Sequence, residues 1–204
     1  MAKSLVEINA TSKRFADGVY HAELELNQVS FPFTGRIEAQ TPLKADFIGE
    51  VGMILVVDKW ADGGAEVRPC TENDTNCSLF ALNYSTELQY DERKPGLRYF
   101  YQKRSTADYD WLGNGDSDDI YPRLGFLSVG DRFTTSAIDV AYEGTDFASD
   151  AKSFNGAYLK AGKKGYWEKT DDPENAIGPV VRVIDATIGM ADKSYGFKVE
   201  VVKA

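Results

Sequence analysis

Eight consecutive residues, Tyr20 to Asn27 (YHAELELN), alternate without a break. Tyr20, Ala22, Leu24 and Leu26 fall on one side; His21, Glu23, Glu25 and Asn27 fall on the other. A period of two is the mark of a strand with one face on a core and one in water. No long segment elsewhere carries an apolar stripe at helical spacing, so the chain is constrained toward sheets. Short helical turns are expected only near STELQYDE, residues 85–92.

Further strand signals follow along the chain. VGMILVVD (51–58) is a continuous apolar run, which reads as a strand buried on both faces, and Gly63-Gly64 after it is a turn signal. SLFALNYS, LRYFYQKR and FTTSAIDVAY are rich in the aromatic and β-branched residues that pleated surfaces favour. Near the C-terminus, GAYLKAGKKGYWEK predicts a hairpin around Lys163-Lys164-Gly165. PVVRVIDATI and YGFKVEVVKA predict two strands joined across GMADKS, with Phe197, Val199 and Val201 opposite Lys198, Glu200 and Val202. The polar stretch EGTDFASDAKSFNG (143–156) reads as a joint between sub-modules or a long loop.

The expectation is an all-β fold: a compact barrel or sandwich of short antiparallel strands with long loops and a C-terminal β-hairpin unit. The organisation expected is one β-rich domain over 1–204, with 1–15 an N-terminal arm or an ordinary first strand and 150–204 a C-terminal β sub-module. The arm, MAKSLVEINATSKRF, carries three cations and one acid and is locally basic.

Composition limits the partners. Hydrophobic residues make up 43% of 204, enough for a core. The net charge of −9 repels polyanions, so nucleic acid or an anionic membrane would need a local basic patch. No run reaches the roughly 18 apolar residues of a membrane span. The N-terminus has no apolar core of signal-peptide length, so synthesis in a cytosol and a soluble product are expected.

Tests for chemistry return little. The loop DWLGNGDSDD (Asp110–Asp119) invites a calcium reading, but the Asp-x-Asx-x-Asx-Gly pattern fails in both registers. Counting from Asp108 puts Leu112 at position five; counting from Asn114 puts Asp119 where glycine belongs and Gly125 where an acid belongs. An acidic surface loop is the expectation. Cys70 and Cys77 enclose six polar residues; zinc would need two further ligands, and the chain has one histidine. That histidine, His21, sits mid-strand on the polar face, where a nucleophilic triad has no support. With 32 acids, a close carboxylate pair carries no signal. Phosphate-cradling glycine motifs are absent. ERKPGLRYFYQKR (92–104) sets five cations around Tyr99, Phe100 and Tyr101, but Phe100 points opposite to the tyrosines, which breaks a stacking platform. Structural aromatics with paired arginines are expected there; a protein contact is the other reading. No catalytic, cofactor-binding or metal-binding residue is assigned.

The order of segments carries more. TPLKADFIGEVGMILVVDK, YSTELQYDERKPGLRYFY, YPRLGFLSVGDRFTTSAI and the stretch from Gly156 to Ala204 resemble, in that order, head decoration proteins of tailed bacteriophages. The resemblance covers most of residues 40–204, and LGFLSVGDRFTT (124–135) is its most specific element. It implies a non-enzymatic virion structural protein on the capsid exterior, made in the host bacterial cytoplasm. It implies the major capsid protein as partner, with a second copy of itself as a further candidate, and no cofactor, nucleic acid or membrane. The alternative is a head-fibre base or a tail or baseplate module that grips host glycans through Trp60, Trp111 and Trp167.

Overall fold

The structure is a computed structural model. It describes residues 2–12, 24–28, 36–38, 51–61, 64–71, 73–76, 78–84, 88–90, 99–101, 123–144, 146–189 and 195–204. Its strands are Lys3–Ser4 (β1), Leu24–Gln28 (β2), Arg36–Glu38 (β3), Ile54–Ala61 (β4), Gly64–Pro69 (β5), Leu79–Asn83 (β6), Leu88–Tyr90 (β7) and Tyr99–Tyr101 (β8). They continue with Arg123–Gly125 (β9), Arg132–Thr135 (β10), Ala141–Tyr142 (β11), Tyr158–Ala161 (β12), Trp167–Thr170 (β13), Val180–Gly189 (β14) and Tyr195–Lys203 (β15). Two short helices, Leu5–Ser12 (α1) and Phe147–Asp150 (α2), complete the set, with 3-10 turns at Ala151–Phe154 and Lys163–Gly165.

The strands form two main antiparallel sheets. One has six strands in the order β13-β12-β14-β15-β10-β2; the other has five in the order β3-β9-β6-β4-β5. Neither closes on itself among the described residues, so of the two expected architectures the sandwich is the one found. Two further pairs of strands, β1-β11 and β7-β8, form two-stranded ribbons. The β7-β8 ribbon corrects the expected helical turns near residues 85–92: Leu88–Tyr90 pairs with Tyr99–Tyr101 instead. Backbone pairing between the two segments overrides a weak local preference there.

Alternation decides which side chains enter the core. Phe197, Val199 and Val201 of β15 are buried while Val202 is exposed, and Val181 and Val183 of β14 face the same way. They join Ile54, Val56 and Leu82 from the other sheet in one cluster, so the main core lies between the two sheets. The next residues of β4, Leu55 and Val57, pack instead with Val67, Ala81 and Leu124. Strand β4 is therefore buried on both faces, as its unbroken apolar run predicts. Each such side chain, fully buried, contributes about 1.5–3 kcal/mol relative to exposure.

The crossing from one sheet to the other is made by LGFLSVGDRFTT. Leu124 ends in the five-stranded sheet, and Phe133 begins the inward row of β10 in the six-stranded one. The turn between them is held by the buried Asp131, whose carboxylate accepts the Ser128 N–H at 2.8 Å. Gly130, at φ 94°, donates its N–H to the Val201 carbonyl at 2.8 Å. A positive φ suits glycine, which has no Cβ to clash.

Two segments carry helix that was not expected. Residues 5–12, within the segment expected as an arm or first strand, form a helix directly after β1. Ser4 accepts the Glu7 N–H at 3.2 Å and Glu7 accepts the Ser4 N–H at 2.9 Å, a reciprocal capping box. Leu5 is fully buried, and the buried Asn9 side chain pairs with both backbone groups of Tyr195, at 2.9 and 2.8 Å. Within the polar stretch 143–156, residues 147–154 form α2 and the 3-10 turn that follows it. Asp146 caps α2 through Ala148, at 3.1 Å, and Ser149, at 2.6 Å, which brings Phe147 into an aromatic cluster. Its ring centroid lies 5.2 Å from Tyr142, 5.0 Å from Tyr195 and 6.2 Å from Phe197.

Candidate functional site

The six-stranded sheet turns its outward rows away from the main core, and one row is charged. Arg182 of β14, Glu200 of β15 and Arg132 of β10 are direct cross-strand neighbours. Glu200 Oε1 accepts from Arg132 Nε at 3.2 Å and Nη2 at 2.8 Å; its Oε2 accepts from Arg182 Nη2 at 2.8 Å. Hydrogen bonds from Arg132 first, and from Arg182 next, hold the Glu200 carboxyl below its ordinary range. The arginine side chains are 45% and 48% exposed and Glu200 only 18%, so the carboxylate is the covered centre of an open row. Asn27, Ile184 and Lys198 complete the lining of a shallow hollow of about 300 Å³. Thr134 Oγ1 donates to Asn27 Oδ1 at 2.7 Å, which fixes the edge strand β2 against β10.

A second concavity, of about 390 Å³, lies at the end of the sandwich, where the loop after β5 meets the β12–β13 hairpin. Its floor includes Cys70 and Phe80, with Lys160 and Glu168 on the hairpin side. The loop is organised by Asp74. Its carboxylate accepts from Arg68 Nη2 at 2.6 Å and Nη1 at 2.9 Å, and from the Thr71 N–H at 2.6 Å. The Arg68 hydrogen bond is the main cause that lowers the Asp74 carboxyl below its ordinary value. Cys70 is a buried free thiol whose Sγ donates to the Ile54 carbonyl at 3.3 Å. Burial, and then the Asp74 charge, push it up to about 12, which leaves it a weak nucleophile. Opposite the loop, the hairpin turns as its glycines predict: Lys164 takes φ 64° and Gly165 φ 86°, and the Gly162 N–H donates to the Tyr166 carbonyl at 2.8 Å.

The residues singled out for chemistry in the sequence fall mostly elsewhere. The Asp110–Asp119 loop, His21, Cys77 and Trp111 lie outside the described residues, as do residues 92–98 and 102–104 of the basic aromatic stretch and the side chain of Trp60. Trp167 is described and is fully buried, so it cannot stack on a sugar. Among the described residues, no three His, Cys, Asp or Glu side chains converge as metal ligands do. None of their helices is long and apolar enough to cross a membrane. The charged row was not anticipated. Alternation marks Arg182 and Glu200 as outward residues, but only strand register places them beside Arg132.

No family model matches the chain, and neither a curated protein nor a solved structure matches it.

Proposed function

We propose that this protein is a non-enzymatic capsid-associated protein of a tailed phage, which docks on the outer surface of the assembled head and ties neighbouring capsid subunits together. The observation that carries the reading is where the segments resembling decoration proteins fall. LGFLSVGDRFTT forms the crossover between sheets, and residues 156–204 supply four of the six strands of the larger sheet. These two segments supply much of the strand framework, where a resemblance of fold would lie.

The framework suits the role physically. Two sheets packed over one core resist shear, and antiparallel pairing leaves broad outer faces for contact. A strongly acidic surface keeps an abundant protein soluble. Each contact can be weak, because engagement of two capsid subunits at once raises the effective concentration of the second contact. The test is sedimentation of purified protein with empty heads assembled from the phage's major capsid protein. Saturable recovery with the heads at micromolar concentration is expected; recovery only in the supernatant would remove the proposal.

A further inference from the structure

We propose that the hollow over Arg132, Arg182 and Lys198 is a receptor for a carboxylate side chain on an acidic segment of a partner protein. This names the kind of contact that the docking reading requires, and it rests on that reading for its biological partner. The recognition itself stands on the geometry of the hollow.

Three of its six lining residues are cations and one is an anion, in a chain whose net charge is −9. The single carboxylate already has its partners: both Glu200 oxygens are taken by the two guanidinium groups. The donors are not exhausted. A guanidinium offers five N–H groups and an ammonium three. Arg132 uses two toward Glu200 and Arg182 one, while the Lys198 ammonium makes no hydrogen bond or ion pair among the described residues. Within its lining the hollow has a surplus of charged donors; the next carboxylates on the same face are Asp185 and Glu25. Ile184, 37% exposed, adds an apolar wall to the same hollow. Cations beside an aliphatic surface fit an acidic residue next to an apolar one.

Two features favour one carboxylate over a polyanion. Acids stand on the adjoining outward positions: Asp185 lies opposite Lys198, and Glu25 lies opposite Thr134, both half-buried. A phosphate chain running past the hollow would meet both acids. The volume of about 300 Å³ also admits only one or two side chains. The three cations stand on neighbouring strands β14, β15 and β10, so their spacing is set before a ligand arrives, which lowers the ordering cost of binding. Exposed ion pairs of this kind add little to a fold, so the residues can be changed without unfolding the protein.

The experiment is an amide-resolved NMR titration of the full chain at low salt with a capped peptide of alternating glutamate and leucine. The same peptide with glutamine for glutamate, inorganic phosphate and a single-stranded oligonucleotide serve as comparison probes. The expected result is a saturable shift centred on residues 132, 182 and 198, weakened by salt and absent with the glutamine peptide. It should weaken about tenfold or more in Lys198→Glu, whose dispersed spectrum confirms the fold. No saturable shift, a shift centred elsewhere, or an equal response to phosphate or oligonucleotide would overturn the assignment. Sedimentation with empty heads separates the two claims. Wild-type protein that binds the peptide but not heads refutes the capsid role and leaves the receptor standing. Heads that bind Lys198→Glu as well as wild type refute the receptor's part in docking and leave the capsid role standing.

Discussion

The indole N–H of Trp167 donates to the carbonyl of Gly52 across 3.0 Å, in a fully buried setting. Gly52 also donates its own N–H to the Asn83 carbonyl at 2.7 Å. One residue at φ 84° thus takes a bond from the six-stranded sheet and gives one to the five-stranded sheet. The Trp167 ring also packs on Phe133, with centroids 5.8 Å apart. The two layers of the sandwich are joined by a directional bond as well as by apolar contact.

Trp167→Phe should remove that bond while keeping much of the ring. It leaves a buried carbonyl short of a donor and a partial cavity, for a loss of about 2–4 kcal/mol. Urea unfolding monitored by circular dichroism measures it. A loss below about 0.5 kcal/mol would show that the bond does not join the layers.

Two glycines with nearly equal φ separate backbone strain from steric clash. At Gly156, φ 85°, an added Cβ meets nothing within 4 Å; at Gly165, φ 86°, it meets the Ile54 carbonyl oxygen at 2.8 Å. Gly156→Ala should cost about 1–2 kcal/mol from the left-handed backbone alone. Gly165→Ala should cost at least about 1 kcal/mol more, because the obstacle is backbone at the sheet-to-sheet contact. Equal melting temperatures for the two variants would contradict the close approach of the hairpin to β4.

Asp74 should make stability acid-sensitive. Its carboxyl is held below the ordinary 3.8 in the folded protein, so the unfolded chain takes up its proton first as pH falls. The contribution is complete above the unfolded value and is lost as pH drops from about 3.8 through the folded value. Asp74→Asn should lose about 3 kcal/mol at neutral pH, since it removes the charge that the Arg68 guanidinium and the Thr71 N–H both bind. The gap between wild type and variant should narrow below about pH 4. A gap independent of pH would mean that the pair is not ionic in its effect.

Cys70 should resist thiol reagents while the protein is folded. Its thiol is buried and pushed up to about 12, so it carries almost no thiolate at pH 8. Peptide mapping after brief alkylation should find Cys70 unmodified in native protein and modified in denaturant. Equal modification in both would contradict its place in the core.

Periodicity read best in the C-terminal strands and in β4; in Tyr20–Asn27, whose described part is the edge strand β2, Leu26 is 43% exposed. Phe197, Val199 and Val201 announce a half-buried strand, and Val51–Val57 announces a doubly buried one, because side-chain period maps directly onto burial. Helix α1 was missed although its signal is short and local: Ser4 and Glu7 stand three apart, as a capping box requires, ahead of a weakly amphipathic turn. Helix α2 was hidden by polar composition, since Asp146, Ser149 and Asp150 read as loop until the Asp146 cap is seen. The charged row of Arg132, Glu200 and Arg182 could not be read at all. Its members are separated by 50 and 18 positions, and only the register of β14, β15 and β10 joins them.

We propose that this molecule strengthens an assembled phage head by binding across its subunits. Calorimetry of empty heads with increasing amounts of the protein tests this. The disruption temperature of the heads should rise with added protein and level off once the sites are filled, because a ligand of the assembled state stabilises it by mass action. An unchanged disruption temperature at saturating protein would contradict the account.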